Sequence, residues 1–394
     1  MKTQTKLVLL VCSLWLVQSC THDDLNTSST TPQAEEVKTW KPEDGIRKFI
    51  PQEYLGNVRV QDLDFIERFL KNPMEEGLSS RSNEIHIPAG SINALSTALT
   101  TSNNGDVIIL DPGSHTESGT ITLDKSISLI GYGATVTFSG TSVDALSHFA
   151  PAIHVKERGC ISTIRGITFK SSEALPGICI FLDNTKDIKI LNNTFENWII
   201  GVAMYNSNYN IVSSNTINAN PGWQTIPGFN SQGVAIADGH HNMIIDNEIK
   251  GALFGIFTGG SLGIDFRNHT SGCAWGQILC KVTPDAITVG GTLVSTQTSS
   301  NNWLVMFNKS DHNFLTGIIV IDGAYKNYVS NNEMNNNAVY DIELAGASTR
   351  FGYPTPSSYD NRVNAYYNMK IKDCGDDNKI HGGSLVNNTL DPCN

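Results

Sequence analysis

The sequence predicts a right-handed parallel β-helix, a solenoid in which every coil of chain adds one strand to each of several parallel sheets. The first observation is an internal repeat: the segment from Gly201 to Ile217 returns, with substitutions, from Gly233 to Ile249. The second is the pattern inside each copy, which runs glycine, alternating apolar strand, Asx-rich turn and a second strand ending in Asn-x-Ile. Such repeats indicate a solenoid because each unit buries its apolar face only against its neighbours.

The spacing of the strand starts sets the length of one coil. These starts align at Gly177, Gly201, Gly233, Gly255 and Gly317. The first four are separated by 24, 32 and 22 residues, so one coil takes about 22 residues and the excess marks insertions. Because side chains alternate along a strand, one apolar set is predicted to stack as the inner core. The members of this set are Ile178, Ile180, Val202, Met204, Val234, Ile236, Ile256, Ile318 and Val320.

The N-terminus predicts export and lipid anchoring. A short apolar run follows Lys2 and Lys6 and ends in the sequence Val-Gln-Ser before Cys20, which resembles a bacterial lipobox. We therefore expect residues 1–19 to be a lipoprotein signal peptide and Cys20 to carry the lipid, the protein's only contact with the membrane. An ordinary secretory signal with an incidental cysteine is the alternative.

The next segments predict a tether and a helical cap. Residues 20–45 are poor in apolar side chains and are expected to be flexible, and an acidic tag within them resembles signals for export to the cell surface. The predicted location is therefore the outer membrane or the cell surface. Residues 46–84 are predicted to be helical or irregular, and residues 85–394 to form one β-helix domain. Helical spacing at 91–99, just before the first coil, predicts a helix that covers the open end of the solenoid.

Cysteine usage fits an oxidising compartment. Besides Cys12 in the signal peptide and Cys20, the chain has six cysteines, and an even number in an exported chain predicts disulfides. The sequence leaves all fifteen pairings open. Pairing neighbours would join Cys160 with Cys179, Cys273 with Cys280 and Cys374 with Cys393.

Charge and ligand spacing argue against several classes of partner. The net charge is −11, and the absence of a Lys/Arg cluster disfavours nucleic-acid binding. No cysteine pair has metal-ligand spacing with histidines, so no metal or other cofactor is predicted. Calcium is compatible with such a fold, but no Asp cluster with calcium-ligand spacing supports it. The sequence does not indicate an oligomeric state.

A family resemblance extends the fold prediction. The segments 104–117 and 127–133 resemble the first coils of the pectin-lyase-like right-handed parallel β-helix superfamily, and the resemblance covers the chain from about residue 85 to the C-terminus. It implies the fold and says little about chemistry, because that superfamily includes lyases, hydrolases, epimerases, phage adhesins and inactive proteins.

Recurrent polar residues are predicted to be structural. Asparagine tolerates left-handed turn geometry, and stacked asparagines share amide hydrogen bonds. This reading applies to Asn192, Asn193, Asn215, Asn247, Asn331, Asn332 and Asn388.

Two insertions predict a groove. They lie at about 219–230 and 259–302, on opposite sides of the same sheet. Loops on a rigid scaffold commonly carry binding sites. Cover for the solenoid, or an oligomer contact, is the alternative. The predicted ligand-binding residues are Tyr205, Trp223, Phe257 and Trp275, with Ala235 and Ala237 in the floor.

Candidate catalytic groups surround these insertions. A lyase needs a base and positive charge to stabilise a carbanion. The candidates for these roles are His240, His241, Lys250, Arg267 and Lys281. A glycosidase needs two carboxyl groups, for which Asp265 with Asp285, or Asp341 with Glu343, are available.

The leading functional hypothesis is a surface lipoprotein that binds an extracellular polysaccharide and cleaves a uronate-containing glycan by β-elimination. A non-catalytic carbohydrate-binding or surface-interaction protein is the alternative. A glycoside hydrolase is the third candidate.

Overall fold

The computed structural model describes residues 45–71, 83–143, 148–219, 231–281, 287–294, 298–348 and 354–386. The predicted signal peptide, the lipidation site and most of the tether therefore lie outside the described residues. The same holds for Trp223, Asp285, Asn388 and Cys393.

Parallel strands form three faces of a solenoid. Face 1 contains β4 (Ile121–Leu123), β7 (Pro151–Val155), β9 (Ile178–Asp183), β12 (Ile200–Tyr205), β15 (Gln232–Ile236), β18 (Phe254–Thr258), β21 (Trp275–Leu279), β26 (Thr316–Val320), β29 (Tyr340–Leu344), β31 (Lys370–Asp373) and β33 (Ser384–Leu385). Face 2 contains β1 (Glu84–Ile87), β2 (Val107–Leu110), β10 (Lys189–Leu191), β13 (Ile211–Ser213), β16 (Met243–Ile245), β19 (Ile264–Phe266), β24 (Leu304–Met306), β27 (Tyr328–Ser330), β30 (Arg362–Asn364) and β32 (Lys379–His381). Face 3 contains β3 (Gly113–Ser118), β11 (Thr194–Trp198), β14 (Thr216–Ala219), β17 (Glu248–Lys250), β20 (His269–Ser271), β25 (Lys309–Asp311) and β28 (Glu333–Asn335).

Two long strands belong to faces 2 and 3 together, and a small sheet lies apart. The long strands are β5 (Ser128–Ser139) and β8 (Thr163–Ser171). In later coils the chain passes from face 1 to face 2, then to face 3, and back to face 1. The small sheet contains β6 (His148–Phe149), β22 (Ile287–Val289) and β23 (Thr292–Val294).

Apolar side chains from all three faces form one continuous core. In face 1, Val202 aligns with Val234, which aligns with Ile256, and all three are buried in this core. The predicted inner set is confirmed with one exception. Ile178 packs instead on the outer side of face 1, because the strand is irregular at its start and the buried Cys179 points inward in its place.

The helices cover the solenoid at its N-terminal end and along one side. They are α1 (Gln52–Leu55), α2 (Val60–Lys71) and α3 (Ala94–Thr101), with short 3-10 helices at Arg47–Phe49 and Glu157–Gly159. Helix α3 buries Leu95, Ala98 and Leu99 against the first coils, which confirms the predicted cap. None of the described helices has the length and apolar character needed to cross a membrane.

Residues 45–71, here called the strap, lie along the outside of face 2. The strap buries Ile66 and Phe69 against outward side chains of this face, including Ile245 and Phe266. Tyr54 of the strap packs on Tyr328 with ring centroids 5.1 Å apart. The sequence predicts helical or irregular structure within 46–84 but not this docking, because the partners lie far away in the chain.

The second predicted insertion is much shorter than the sequence suggested. Residues 259–281 form a regular coil through β19, β20 and β21, and extra chain enters only between β21 and β24. Gly276 occupies the glycine position of this coil, as its neighbour Gly255 does in the preceding one. The coil escaped notice because Gln277 replaces the apolar residue that follows each of the other glycines.

Two predicted disulfides are wrong. Cys160, Cys179, Cys273 and Cys280 are free thiols. Cys179 points into the core, whereas Cys160 lies in a turn and its thiol donates a hydrogen bond to the backbone oxygen of Glu157. Cys273 and Cys280 flank β21, and an extended strand holds its ends too far apart for a disulfide. Cys374 is disulfide-bonded. Its pairing with Cys393 stays a prediction, since Cys393 lies outside the described residues.

A buried asparagine ladder stabilises the sharp turns between faces 2 and 3. Asn247 is 1% exposed, and its Oδ1 accepts hydrogen bonds from the backbone N–H and the side-chain amide of Asn215, both at 3.0 Å. Its Nδ2 donates to the backbone oxygen of Val212 and to Oδ1 of Asn268, both at 2.9 Å. The structural role predicted for the asparagines is confirmed for this ladder.

Replacing Asn247 with alanine is expected to lower the free energy of unfolding by about 3 kcal/mol, because the Asn215 amide loses its acceptor while buried. The matched control is Asn218→Ala, an exposed asparagine of β14, which is expected to change stability by less than about 0.5 kcal/mol. Urea unfolding of both variants checks this. Equal effects would mean that the ladder is not the stabilising element.

Candidate functional site

The predicted groove over face 1 is filled, so that prediction is wrong. Ala235 and Phe257, two residues of its expected floor, are each only 8% exposed. The small sheet formed by β6, β22 and β23 covers part of this face, and Val289 and Val294 pack against the outward side chains there. The outward row is apolar, so covering it is favourable. Tyr205 and Ala237 pack at the edge of this cover. Trp275 is half-buried and stacks on Phe254.

A buried polar contact holds the cover in place. His154 of β7 and Asp183 of β9 lie 3.0 Å apart, and Thr292 of β23 donates a 2.7 Å hydrogen bond to the same carboxylate oxygen. Burial alone would raise the pKa of Asp183, but hydrogen bonds from His154, Thr292 and Asn184 outweigh burial and lower it. The Asp183 carboxylate therefore accepts hydrogen bonds from several donors. This arrangement suits attachment of the small sheet to face 1 and does not suit acid–base chemistry.

The structure separates three of the predicted catalytic residues. Asp265 points into the solenoid interior and is 1% exposed, so it cannot reach a substrate and its predicted role is wrong. Lys250 lies on the exposed side of face 3 and pairs with Glu248 at 2.6 Å. Arg267 lies at the corner between faces 2 and 3 and pairs with Asp246 at 3.1 Å. These residues belong to different surfaces because Lys250 lies in β17 of face 3, Asp265 in β19 of face 2 and Arg267 in the turn after β19.

The predicted carboxylate pair of a glycosidase is also absent from the surface. Asp341 is 6% exposed and accepts hydrogen bonds from the Lys370 backbone N–H at 2.8 Å and the Asn337 side chain at 3.2 Å. Glu343 is 2% exposed and aligns with Ile319 of β26 and Lys372 of β31. The two carboxylates have different surroundings, and neither faces solvent.

His240 and His241 lie at the corner between faces 1 and 2, where the strap contacts them. Tyr209 stacks on His241 with ring centroids 5.3 Å apart, and the Arg59 guanidinium lies 3.9 Å from the Tyr209 centroid. Arg59 is itself paired with Asp62. Burial and then the charge of Arg59 lower the pKa of both imidazoles, so they stay neutral at physiological pH.

This corner forms a continuous ridge along the solenoid. Residues of successive coils pair there in parallel, one coil after another. From the N-terminal side, the corner ridge consists of Lys186, Asn208, His240, Ser261, Asn301, Tyr325, Tyr359 and Asp376. The residue after each ridge position has a positive φ, as at Tyr209 and Lys326, so the ridge side chains project from a sharp turn.

An open cleft of about 590 Å³ borders the C-terminal part of the ridge. It is called the tyrosine cleft here. Its described lining residues are Thr298, Ser299, Asn301, Gly323, Tyr325, Pro356, Ser357, Tyr359 and Asp376. Tyr325 and Tyr359 stack face to face, with centroids 4.9 Å apart and planes within 1°. Tyr359 is 42% exposed.

Sequence reasoning missed this cleft although a signal was present. Tyr325 and Tyr359 fall at the same place in successive coils, each followed by a residue of positive φ. The longer connection between β29 and β30 hid the register of the second.

Comparisons with known proteins agree with this architecture. The sequence model of a family described as "Periplasmic copper-binding protein (NosD)" matches residues 78–269, just under half of the chain. The polygalacturonase of Erwinia carotovora ssp. carotovora superposes with a TM-score of 0.50 at 12% identity, covering 79% of this chain and 98% of that one. The fold is the pectin-lyase-like right-handed parallel β-helix.

Two further solved structures are similar at low identity. Pectate lyase Pel9A has a TM-score of 0.44 at 15% identity, covering 80% of this chain and 81% of its own. The periplasmic alginate epimerase AlgG has a TM-score of 0.42 at 12% identity, with coverages of 92% and 90%. No curated protein sequence matches this chain.

The described residues of this β-helix do not fit a copper site. Among them, no three His, Cys, Asp or Glu side chains are grouped so that they could hold a metal ion. Burial raises the pKa of the Cys273 thiol to about 12, which disfavours the thiolate that soft metals bind. The described residues therefore disagree with the copper binding named in the family description.

Proposed function

We propose that this protein is an extracytoplasmic, non-catalytic polysaccharide-binding β-helix and that the tyrosine cleft is its binding site. The observation that carries the proposal is the pair of stacked tyrosines in an open, polar cleft. Aromatic side chains give a ligand a flat apolar surface with little loss of conformational entropy. Hydroxyl and amide groups around them are suited to bonding with sugar hydroxyls.

The location rests on two independent observations. The family description matching residues 78–269 names a periplasmic protein. The N-terminal sequence has the features of a lipoprotein signal ending before Cys20. We propose that a lipid on Cys20 holds the β-helix at the outer membrane or cell surface, where extracellular polysaccharide is accessible.

β-Elimination is the second candidate function. It is favoured by His240, a neutral imidazole on the corner ridge that lies beside Tyr209 and near Arg59 of the strap. The Nδ1 atom of His240 has no hydrogen-bond partner among the described residues, but this atom is buried, so the other ring nitrogen would have to act as the base. Against this candidate, Arg59 already pairs with Asp62, which leaves less positive charge for a carbanion.

The test incubates the purified protein with a panel of neutral and uronate-containing polysaccharides. Binding is measured by calorimetry, unsaturated products by ultraviolet absorbance and new reducing ends by a colour reaction. We expect saturable binding with neither product. Absorbing products that disappear in His240→Ala would establish elimination instead, and an absence of binding across the panel would refute polysaccharide binding.

A further inference from the structure

The tyrosine cleft has the wrong charge for an acidic sugar. None of its described lining residues is cationic, and Asp376 carries its one charge. The whole chain adds a net charge of −11. A uronate carboxylate placed there would meet like charge and find no ammonium or guanidinium group among the described lining residues.

Its polar groups are suited to sugar hydroxyls instead. Asp376 is exposed, and a carboxylate can accept hydrogen bonds from several hydroxyl groups. The Asn301 side-chain Nδ2 donates a hydrogen bond of 2.9 Å to the Ser299 backbone oxygen, and its Oδ1 accepts one of 2.8 Å from Asn302. These two hydrogen bonds hold the Asn301 amide in one orientation. The exposed part of Tyr359 provides the apolar surface, and Asp376 follows it on the corner ridge.

Resting on the function proposed above, we infer that the ligand is a neutral, hydroxyl-rich polysaccharide and that Asp376 excludes uronate polymers. The hypothesis of a uronate glycan, drawn from the sequence, depended on cations that are not among the described lining residues of the cleft. Asp376 thus acts as a specificity residue: it accepts hydrogen bonds from neutral sugars and repels anionic ones.

The experiment measures binding of wild-type protein, Asp376→Lys and Asp124→Lys to a neutral glucan, a neutral xylan and polygalacturonate at low and high salt. Asp124→Lys is the matched control, since it makes the same charge change at an exposed aspartate of the first coils. We expect wild type to bind a neutral polymer at least about tenfold more tightly than polygalacturonate. Asp376→Lys should raise polygalacturonate affinity about tenfold at low salt, and the control should leave it unchanged.

The outcomes separate this inference from the proposed function. Equal or tighter binding of polygalacturonate by wild type would overturn the neutral-ligand inference while polysaccharide binding stands. An equal gain in both lysine variants, or no gain in Asp376→Lys, would overturn the role of Asp376. Binding of no polymer at all would remove the proposed function itself.

Discussion

Asp265→Asn is expected to stabilise the protein at pH 8 by about 2 to 4 kcal/mol. Asp265 lies inside the solenoid, where burial raises its pKa from 3.8 to about 7, despite hydrogen bonds from Asn268 and Asn308. Gln277 approaches it at 3.5 Å, and the Gln277 Oε1 atom has no hydrogen-bond partner among the described residues. An asparagine keeps the shape, removes the ionisable group and can donate to that oxygen.

The pH dependence of this effect has a definite sign. The folded pKa of Asp265 is higher than the unfolded one, so the folded state binds the proton more tightly. This contribution to stability is complete below about pH 4 and is lost as the pH rises to about 7. The gain from Asp265→Asn should therefore be small at pH 4 and near its maximum at pH 8.

Urea unfolding at the two pH values measures the change. Asp311→Asn is the control with the opposite sign. Burial would raise the Asp311 pKa, but hydrogen bonds from His312, Lys309 and His269 lower it to about 2. Its contribution is lost only below about pH 4, so Asp311→Asn should destabilise the protein at both pH values. A destabilised Asp265→Asn variant at pH 8 would show that the folded protein needs the ionised carboxylate.

Removing both tyrosines of the cleft is expected to weaken polysaccharide binding by about 100-fold. Tyr325→Ala combined with Tyr359→Ala deletes the aromatic surface, and truncation of central interface aromatics typically costs 2 kcal/mol or more. The reference is the polymer that wild type binds best. Calorimetric titration gives the ratio of dissociation constants.

The control for this variant is Tyr367→Ala, a tyrosine that is 57% exposed and does not line the cleft. It should bind like wild type. Unfolding curves of both variants separate loss of binding from loss of fold. If the folded double variant binds as wild type does, the tyrosine cleft is not the site.

The repeat made the fold predictable because a solenoid repeats the same local rules in every coil. Glycine at the strand start and asparagine at the turn recur, and their hydrogen bonds join consecutive coils. The prediction failed where one coil breaks the rule. Gln277 and Asp265 place polar groups in the interior of that coil, and an apolar pattern cannot show a buried polar pair.

The site was less predictable because it depends on contacts between distant segments. The sequence predicted extra chain at about 259–302, but not that Val289 and Val294 within it would cover face 1. It identified His240 and His241 as candidate catalytic residues. It did not predict that Arg59 and Asp62 of the strap would lie close to them. Such contacts form because they bury apolar surface in the folded protein. The separation of two segments along the chain does not predict that they will meet.

A crystal structure with an oligosaccharide from the best-binding polymer tests polysaccharide binding at the cleft most directly. We predict a sugar ring against Tyr359, with hydroxyl groups within hydrogen-bond distance of Asp376. A sugar bound instead beside His240, or on another face with the cleft empty, would contradict this assignment.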